Sequence, residues 1–334
     1  MNAFKVAILA LGGTIAMTKS EDGGVVPTLT GEMLAAAVPG LGELAQIDAR
    51  TFRQLPSPHL KYGDLEDLAG EIIRLDQAGC RGVVVTQGTD TIEETAFVLD
   101  LLTDLEMPVV VTGAMRNPTV AGADGPANLL ASVQVAISSE ARGCGCLVVM
   151  NDEIHAARFV RKMHTSRLDA FGSPASGRLG WVSEGRVFVG SRLERPPTIP
   201  LSGLSENHRV ALITVALGDD GTLIRALPPG QFQGLVVEAT GGGHVPVEVA
   251  DALEVVARRM PVILASRTGA GETLSHTYGF PGGEIDLQRR GLIRAGWLDG
   301  LKAKTLLTLL LRHGVTSVSD ISAAFEPWGG GSRR

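Results

Sequence analysis

Three polar segments of this sequence place hydroxyl, carboxyl and amine groups directly after apolar runs. Thr14 lies in the first segment, Leu11–Ala16, Thr89 and Asp90 lie in the second, and Lys162 lies in the third. A lysine beside hydroxyl and carboxylate groups can accept a proton when burial lowers its pKa. The backbone N–H groups at a helix start favour a substrate carboxylate or a developing oxyanion. The residue types therefore indicate proton transfer beside a negatively charged group.

Each segment also has a plain structural interpretation. The paired glycines before Thr14 let the backbone turn sharply, so the threonine can be a turn residue. Their spacing is not the G-x-G-x-x-G of a dinucleotide site. Thr89 and Asp90 can cap the N-terminus of a helix, and Lys162 can lie in a solvated basic loop. Taken one at a time, the segments leave these alternatives open.

The elements that must position these residues alternate between strands and helices. The apolar runs are continuous, which is typical of parallel strands covered on both faces. An amphipathic helix is predicted over Tyr62–Ala78, Thr91 begins a sequence typical of a capping box, and a proline near Asp124 marks the start of a third helix. This pattern predicts a doubly wound α/β sheet that binds ligands outside the carboxyl ends of its strands. The predicted strands are Phe4–Leu11, Gly82–Thr86, Pro108–Thr112 and Gly145–Met150.

The chain is long enough to need more than one hydrophobic core, since it has 334 residues. A stretch that contains Pro, Ser and Gly predicts a linker at residues 196–208. It separates a larger N-terminal α/β domain, residues 1–195, from a smaller C-terminal α/β domain, residues 209–334. The first domain carries all three polar segments. The second is predicted to contain strands at Val210–Val215, Gly234–Thr240 and Pro261–Ser266 and helices at Pro246–Arg259 and Leu301–His313.

The composition is typical of a globular cytoplasmic protein, with 44% hydrophobic and 20% charged residues. No apolar stretch approaches the ~20 residues that cross a bilayer, and the net charge of -6 argues against a nucleic-acid partner. Phe4–Leu11 has no basic region before it and no cleavage site after it, so a buried strand is expected rather than a signal peptide. Cys80, Cys144 and Cys146 lack metal-binding partners at suitable spacing and are expected to be reduced core residues.

Together the three segments resemble the bacterial-type L-asparaginase family, also called the asparaginase/glutaminase family. Leu11–Ala16 is similar to the family signature T-G-G-T-I-A, and Gln87–Thr91 is similar to H-G-T-D-T with glutamine in place of histidine. Lys162 stands in the K-x-H-T context of the family lysine. Further matches are Val111–Met115 and Gly122–Leu129. The matches follow the family order along essentially the whole chain.

The resemblance implies an amidohydrolase that uses neither a metal ion nor an organic cofactor. Thr14 would attack the side-chain amide carbon and form an acyl-enzyme, beside a hydroxyl–base–carboxylate group made of Thr89, Lys162 and Asp90. Asp90 would also bind the α-ammonium of the substrate, and backbone N–H groups would hold the oxyanion. The implied substrate-binding residues are Ser57 for the α-carboxylate, Gly88, Thr89, Asp90, Ala114, His244 and Glu284.

Two of these residues, His244 and Glu284, belong to the C-terminal domain. The family assembles each site between subunits, so Glu284 would lend its carboxylate to a neighbouring chain, and His244 stands where relatives often carry Asn. The implied assembly is a homotetramer built from two intimate dimers. The implied partners are a small amino-acid amide and further copies of the chain, with no nucleic acid and no membrane.

Two positions depart from the family pattern. Relatives carry a Tyr in the mobile lid after the first motif, whereas Val25 occupies that position within the Gly-rich stretch Ser20–Thr28. Tyr278 is a candidate to supply the missing hydroxyl from a partner subunit. Pro58 replaces a substrate-binding Gln or Ser and offers no hydrogen-bond donor, which favours weaker carboxylate recognition or a different amide.

The leading functional hypothesis is hydrolysis of L-asparagine to L-aspartate and ammonia. Val25 and Pro58 keep open an amidase for another small amide, such as glutamine, a D-amino acid amide or a lactam. A catalytically weak amino-acid-binding protein is the alternative from a different class. The presence of Thr14, Thr89 and Lys162 argues against it, since binding alone does not require a hydroxyl–lysine pair.

Overall fold

The chain divides into two compact units, Met1–Thr198 and Ile199–Arg334. Both units are α/β, and the first carries the larger sheet, which confirms the predicted fold class. The predicted limits of the linker, 196–208, stay a prediction. The structure, a computed structural model, describes residues 4–13, 30–201, 205 and 208–330, together with the backbone alone at 17–19 and 25–27.

The first unit is built on an eight-stranded sheet with the strand order β12-β11-β8-β7-β6-β5-β1-β4. Its described strands are β1 (Lys5–Ala10), β4 (Gln46–Thr51), β5 (Gly82–Thr86), β6 (Val109–Thr112), β7 (Cys146–Met150), β8 (Glu153–Ala156), β11 (Gly180–Ser183) and β12 (Arg186–Val189); two separate ribbons pair β2 (Met17–Lys19) with β3 (Val25–Pro27) and β9 (Arg161–Lys162) with β10 (Phe171–Gly172). Its helices are α1 (Gly31–Ala36), α2 (Leu41–Leu44), α3 (Tyr62–Gln77), α4 (Ile92–Leu102) and α5 (Gly125–Ile137).

The centre of this sheet is parallel and its far edge is antiparallel. Strands β4, β1, β5, β6 and β7 run parallel, and every residue of β5, β6 and β7 is buried. The four predicted strands match β1, β5, β6 and β7 to within a residue at each end, and β4 was not predicted. The antiparallel edge was not predicted: β8 turns back on β7 through Asn151 and Asp152, which both have positive φ, and β11 and β12 extend it. The sheet is therefore mixed rather than purely doubly wound.

Three helix starts were predicted in the first unit: α3 begins at Tyr62 as predicted, whereas the start at Thr91 is wrong in detail. The capping box at Thr91 does not form, because the Thr91 hydroxyl donates to the carbonyl oxygen of Ser57 at 3.2 Å and gives α4 no side-chain cap. α5 begins as predicted, with proline in its first turn and Asp124 before it. The Asp124 carboxylate is turned to the loop after β6, where it accepts the N–H groups of Met115 and Arg116. Both side chains thus fix neighbouring loops.

The second unit has a four-stranded parallel sheet in the order β13-β14-β15-β16. The predicted strands and helices of this region correspond to β13, β14, β15, α7 and α9 and differ from them by one or two residues at the ends. The elements are β13 (Val210–Thr214), β14 (Gly234–Ala239), β15 (Val262–Ser266), β16 (Ile293–Arg294), α6 (Thr222–Arg225), α7 (Val247–Ala257), α8 (Glu284–Arg289), α9 (Gly300–Arg312) and α10 (Val318–Trp328).

The three cysteines are unpaired thiols. Cys80 and Cys146 are buried as predicted, whereas Cys144 is only partly buried and is not a core residue. Burial raises the pKa of the Cys146 thiol well above its usual value, so this thiol stays protonated at neutral pH. No helix in the described part of the chain is long and apolar enough to span a membrane.

Candidate active site

Three loops converge at the carboxyl ends of β1, β5 and β6, and glycines make the contact possible. A Cβ atom added to Gly13, which has φ of +89°, would lie 2.0 Å from the backbone nitrogen of Gly88. A Cβ on Gly113 would lie 2.6 Å from the carbonyl oxygen of Gln87. Since no side chain fits at either contact, the backbones of the three loops touch directly. The first two predicted segments therefore lie against each other.

Ser57 lies against the loop after β5. Ser57 is buried, and a Cβ atom added to Gly88 would lie 2.7 Å from the Ser57 hydroxyl oxygen. The side-chain amide of Gln87 donates to Gly88 and to Thr91, both at 3.3 Å, and Thr91 in turn donates to the Ser57 carbonyl. This chain of hydrogen bonds fixes the loop to the 3₁₀ turn Ser57–His59. Two predicted substrate-binding residues, Ser57 and Gly88, are thus neighbours.

Lys162 reaches across to this loop from another part of the unit. Its Nζ atom lies 2.9 Å from the Thr89 hydroxyl and 2.7 Å from a carboxylate oxygen of Asp90. The Lys162 side chain is 16% exposed, whereas that of Asp90 is 64% exposed. The amine is therefore shielded while the carboxylate faces solvent. The predicted hydroxyl–base–carboxylate group is present as a connected set, although its chemical role stays a prediction.

The lysine is carried by the two-stranded ribbon of β9 and β10. Phe171 of β10 is paired with Lys162, and the backbone N–H of Lys162 also donates to the Glu93 carboxylate at 3.3 Å. Glu93 belongs to the first turn of α4, the helix that directly follows Thr89–Thr91. A cleft of about 520 Å³ opens beside this ribbon, and Asp90, Lys162, Met163, His164 and Thr165 line it. The cleft is large enough for a small polar substrate.

Asn128 of α5 fixes the loop after β6 by hydrogen bonds. The Asn128 amide donates to the Gly113 carbonyl and to Asp124, both at 3.0 Å, and its oxygen accepts the N–H of Asn151 at 3.0 Å. These bonds fix the backbone around Ala114, whose N–H donates to no described residue. Asn128 was not among the predicted site residues, although it lies in the Gly122–Leu129 run that matched the family.

His244 and Glu284 lie together in the second unit. The Nε2 atom of His244 is 3.1 Å from one carboxylate oxygen of Glu284, and the other oxygen accepts the N–H groups of Thr277 and Tyr278 at 2.7 Å each. Burial raises the pKa of Glu284, but the hydrogen bonds from Tyr278 and Thr277 outweigh it and leave the pKa below its usual value. Glu284 is therefore an ionised carboxylate. Tyr278 packs edge-on against the His244 ring and is 44% exposed.

Three predictions concern residues whose side chains lie outside the described part of the structure. Thr14 lies outside the described residues, as does most of the predicted lid Ser20–Thr28. Val25 is described only as backbone in the β2–β3 ribbon. Among the residues with described side chains, no group of three or more His, Cys, Asp or Glu is placed to hold a metal ion.

The comparisons with known proteins decide the family. A family model described as "Asparaginase, N-terminal" matches residues 5–195, and one described as "Glutaminase/Asparaginase C-terminal domain" matches residues 209–325. The chain belongs to the asparaginase family. Membership of this family confirms the resemblance seen in the sequence.

Several relatives are similar over almost their whole length. The "L-asparaginase" of Bacillus licheniformis is 35% identical over 95% of this chain and 98% of its own. The "Probable L-asparaginase" of Deinococcus radiodurans is 39% identical over 96% and 97%. A crystal structure of the "Probable Cytoplasmic L-asparaginase from Campylobacter jejuni" superposes with a TM-score of 0.86 at 32% identity and covers 96% of this chain and 99% of that one. The two-unit fold is thus shared with asparaginase family members.

Proposed function

We propose that this chain is an L-asparaginase-type amidohydrolase, which converts L-asparagine and water to L-aspartate and ammonia. One observation carries the proposal: in a chain of this family, the Lys162 amine contacts both the Thr89 hydroxyl and the Asp90 carboxylate at the mouth of a cleft. A shielded amine between a hydroxyl and a carboxylate is suited to move protons during amide hydrolysis.

The proposed reaction uses two covalent steps. The Thr14 hydroxyl attacks the side-chain amide carbon and gives up its proton to Lys162 by way of Thr89. Lys162 returns this proton to the amide nitrogen, the C–N bond breaks and ammonia leaves, so that an ester links the substrate to Thr14. Water then cleaves this ester and releases aspartate. Lys162 in its neutral form accepts a proton through the 2.9 Å contact with Thr89, and Asp90 stabilises the ammonium that results. Gly13, the residue before Thr14 in the sequence, packs against Gly88, the residue before Thr89.

The groups that recognise the substrate follow from what remains free at the site. The Asp90 carboxylate is mostly exposed and is available to the substrate α-ammonium. Neither the N–H of Thr89 nor that of Ala114 donates to a described residue, which suits them to an oxyanion. Ser57 and Gly88 are assigned to the α-carboxylate. Pro58 adds no donor there because proline lacks an N–H.

The second unit is assigned a role in the site of a neighbouring copy. Glu284 is ionised, and one of its oxygens is already used by two backbone N–H groups of its own chain. The oxygen that faces His244 is then the one assigned to a substrate ammonium, and because the Glu284 side chain is fully buried while that of His244 is 21% exposed, the ammonium would have to enter beside His244. This assignment implies at least a dimer, and a homotetramer of two intimate dimers is proposed. A cytoplasmic location is part of the same proposal.

A second candidate function is the hydrolysis of a different small amide. Pro58 favours it, because the missing donor weakens recognition of an α-carboxylate. Val25 stands where relatives place the lid tyrosine, so the chain lacks that hydroxyl near the nucleophile. This favours a substrate whose own polar group can take its place. Glutamine, D-asparagine and small lactams separate these possibilities from L-asparagine.

The test is ammonia release from L-asparagine, L-glutamine and D-asparagine. We expect L-asparagine to give the highest kcat/KM, Thr14→Ala to abolish release, and Lys162→Met to lower kcat by about 10²–10⁴-fold. Lys61→Met is the matched control, since it removes an exposed lysine elsewhere in the same unit and should leave kcat unchanged. Release from another amide alone would favour the second candidate. No ammonia from any of the three with a folded, oligomeric protein would refute the hydrolysis of L-asparagine. Because opening a lactam ring releases no ammonia, the second candidate is refuted if mass spectrometry also shows small lactams unchanged.

A further inference from the structure

A buried histidine lies beside the active-site ribbon without taking part in the cleft. His155 of β8 is 1% exposed, and its Nδ1 atom lies 3.0 Å from the hydroxyl oxygen of Ser173, which is also buried. Its Nε2 atom lies 3.4 Å from a carboxylate oxygen of Glu153. His155 does not line the cleft that is bounded by Asp90, Lys162, Met163, His164 and Thr165. The contacts of His155 must therefore act through the elements that it joins.

The contact with Ser173 is the hydrogen bond that the His155 ring makes. Burial lowers the pKa of His155, so the imidazole is neutral at neutral pH and carries one N–H. Glu153 lies 3.4 Å from Nε2 and forms an ion pair with Arg178, but Nε2 has no hydrogen-bond partner among the described residues. The Nδ1 atom is therefore the ring atom that connects His155 to its surroundings, as donor or acceptor toward the Ser173 hydroxyl. Both residues are buried, so this hydrogen bond is shielded from water.

Ser173 directly follows β10, the partner strand of the strand that carries Lys162. In this ribbon Phe171 pairs with Lys162 and Gly172 pairs with Arg161. Each strand has only two residues, so the ribbon has few hydrogen bonds of its own. Two of the hydrogen bonds that tie it to the rest of the unit are that of the Lys162 N–H, which donates to Glu93 of α4, and that of Ser173 with His155 of β8.

We propose that His155 is a positioning residue: through Ser173 it fixes β10 to the main sheet, and through β10 it sets the reach of Lys162 to Thr89 and Asp90. The two anchors act on opposite strands of the ribbon, so loss of either lets the ribbon shift relative to the loop after β5. The Lys162 contacts are 2.9 and 2.7 Å long, and a shift of about 1 Å breaks hydrogen bonds of this length.

The test compares Ser173→Ala with Ser173→Thr, which keeps the hydroxyl, and with Ser176→Ala, which removes an exposed serine from the same segment. For Ser173→Ala we expect kcat to fall about tenfold or more while KM stays within about twofold, because the base moves and the substrate contacts do not. Amide hydrogen exchange should become faster in residues 161–172 and stay unchanged in β5, β6 and β7. The melting temperature should fall by no more than about 5 °C. Ser173→Thr and Ser176→Ala should retain kcat.

The activity readout rests on the proposed function, whereas the exchange readout does not. If the wild type hydrolyses no amide, the proposed function fails, and local exchange in Ser173→Ala still decides whether Ser173 fixes the ribbon. Unchanged kcat and unchanged exchange in Ser173→Ala would overturn the positioning role. So would a uniform rise in exchange across the whole sheet, since that would mean a general loss of stability. His155→Asn, which keeps an acceptor near the Nδ1 position, should retain more activity than His155→Leu, and equal losses would also contradict the proposal.

Discussion

The direct contact between the loops after β1 and β5 predicts a severe effect of Gly13→Ala. The new Cβ atom would lie 2.0 Å from the nitrogen and 2.3 Å from the Cα atom of Gly88, and both are backbone atoms. Ordinary contact requires about 3.5 Å, so the loops would have to separate by roughly 1.5 Å. Such a separation cannot be absorbed by the rotation of a side chain. It must move either Gly88 or the chain that leads to Thr14.

The size of the effect has two parts. At φ of +89° an alanine costs about 1 kcal/mol relative to glycine. The steric conflict adds about 1–3 kcal/mol, as for other overpacked sites. We therefore expect Gly13→Ala to lower the free energy of unfolding by roughly 2–4 kcal/mol. Displacement of the loops by about 1 Å should reduce kcat by about 10²-fold or more.

Gly79→Ala is the matched control. Gly79 has φ of +79°, and a Cβ atom there would meet no atom within 4 Å, so only the cost of about 1 kcal/mol from backbone conformation applies. Urea unfolding followed by circular dichroism gives the free energies, and ammonia release gives kcat. Equal destabilisation of the two variants together with full activity of Gly13→Ala would refute the close contact and the convergence of loops derived from it.

Three further substitutions test separate contacts. Asp90→Asn keeps the shape but removes the charge beside Lys162, so kcat/KM should fall by about 10²-fold while the unfolding free energy changes by less than about 1 kcal/mol; unchanged ammonia release would contradict the assigned role. Glu284→Gln should cost about 1–3 kcal/mol at pH 7. Because the folded-state pKa of Glu284 lies below its unfolded value, its contribution is full above the unfolded value and is lost as the pH falls through the folded one. The free energy of unfolding of the wild type should therefore fall more than that of Glu284→Gln on acidification. If the two free energies fell in parallel with pH, the ionised state assigned to Glu284 would be contradicted. Asn128→Leu removes the side-chain partner of the Gly113 carbonyl and of the Asn151 N–H. It should lower the free energy of unfolding, measured with urea, by about 2–4 kcal/mol. A decrease of less than about 0.5 kcal/mol would contradict the supporting role of Asn128.

The central strands were predictable because of where they lie in the sheet. β5 and β6 are covered on both faces, so their sequences are continuous apolar runs that need no further context. β8 and β12 are short, contain polar residues and lie toward the edge, and their strand conformation depends on pairing with β7 and β11. A local pattern carries little information about such strands. The failed capping box at Thr91 has a similar cause, since its hydroxyl is drawn to Ser57, far away in the sequence.

The site could be predicted only in part and for a different reason. Thr89, Asp90 and Lys162 were recognised together through the family motifs, because no local pattern relates positions more than 70 residues apart. The supporting roles of Asn128 and His155 were missed, since each depends on contacts between distant segments. The role of Glu93 was missed for the same reason, since its carboxylate accepts the backbone N–H of Lys162 from a distant segment.

The sequence separation within the site has a consequence for folding. The bonds from Lys162 to Asp90 and Thr89 close loops of 72 and 73 residues and join the ribbon of β9 and β10 to the loop after β5, so they can form only once both segments are in place. The valine-rich centre of the sheet and the helices next to it can form without them. On refolding, the circular dichroism signal should thus return before or together with enzymatic activity, never after it. Activity then measures the fraction of chains in which the first unit is complete, and a spectroscopic signal alone would overstate that fraction.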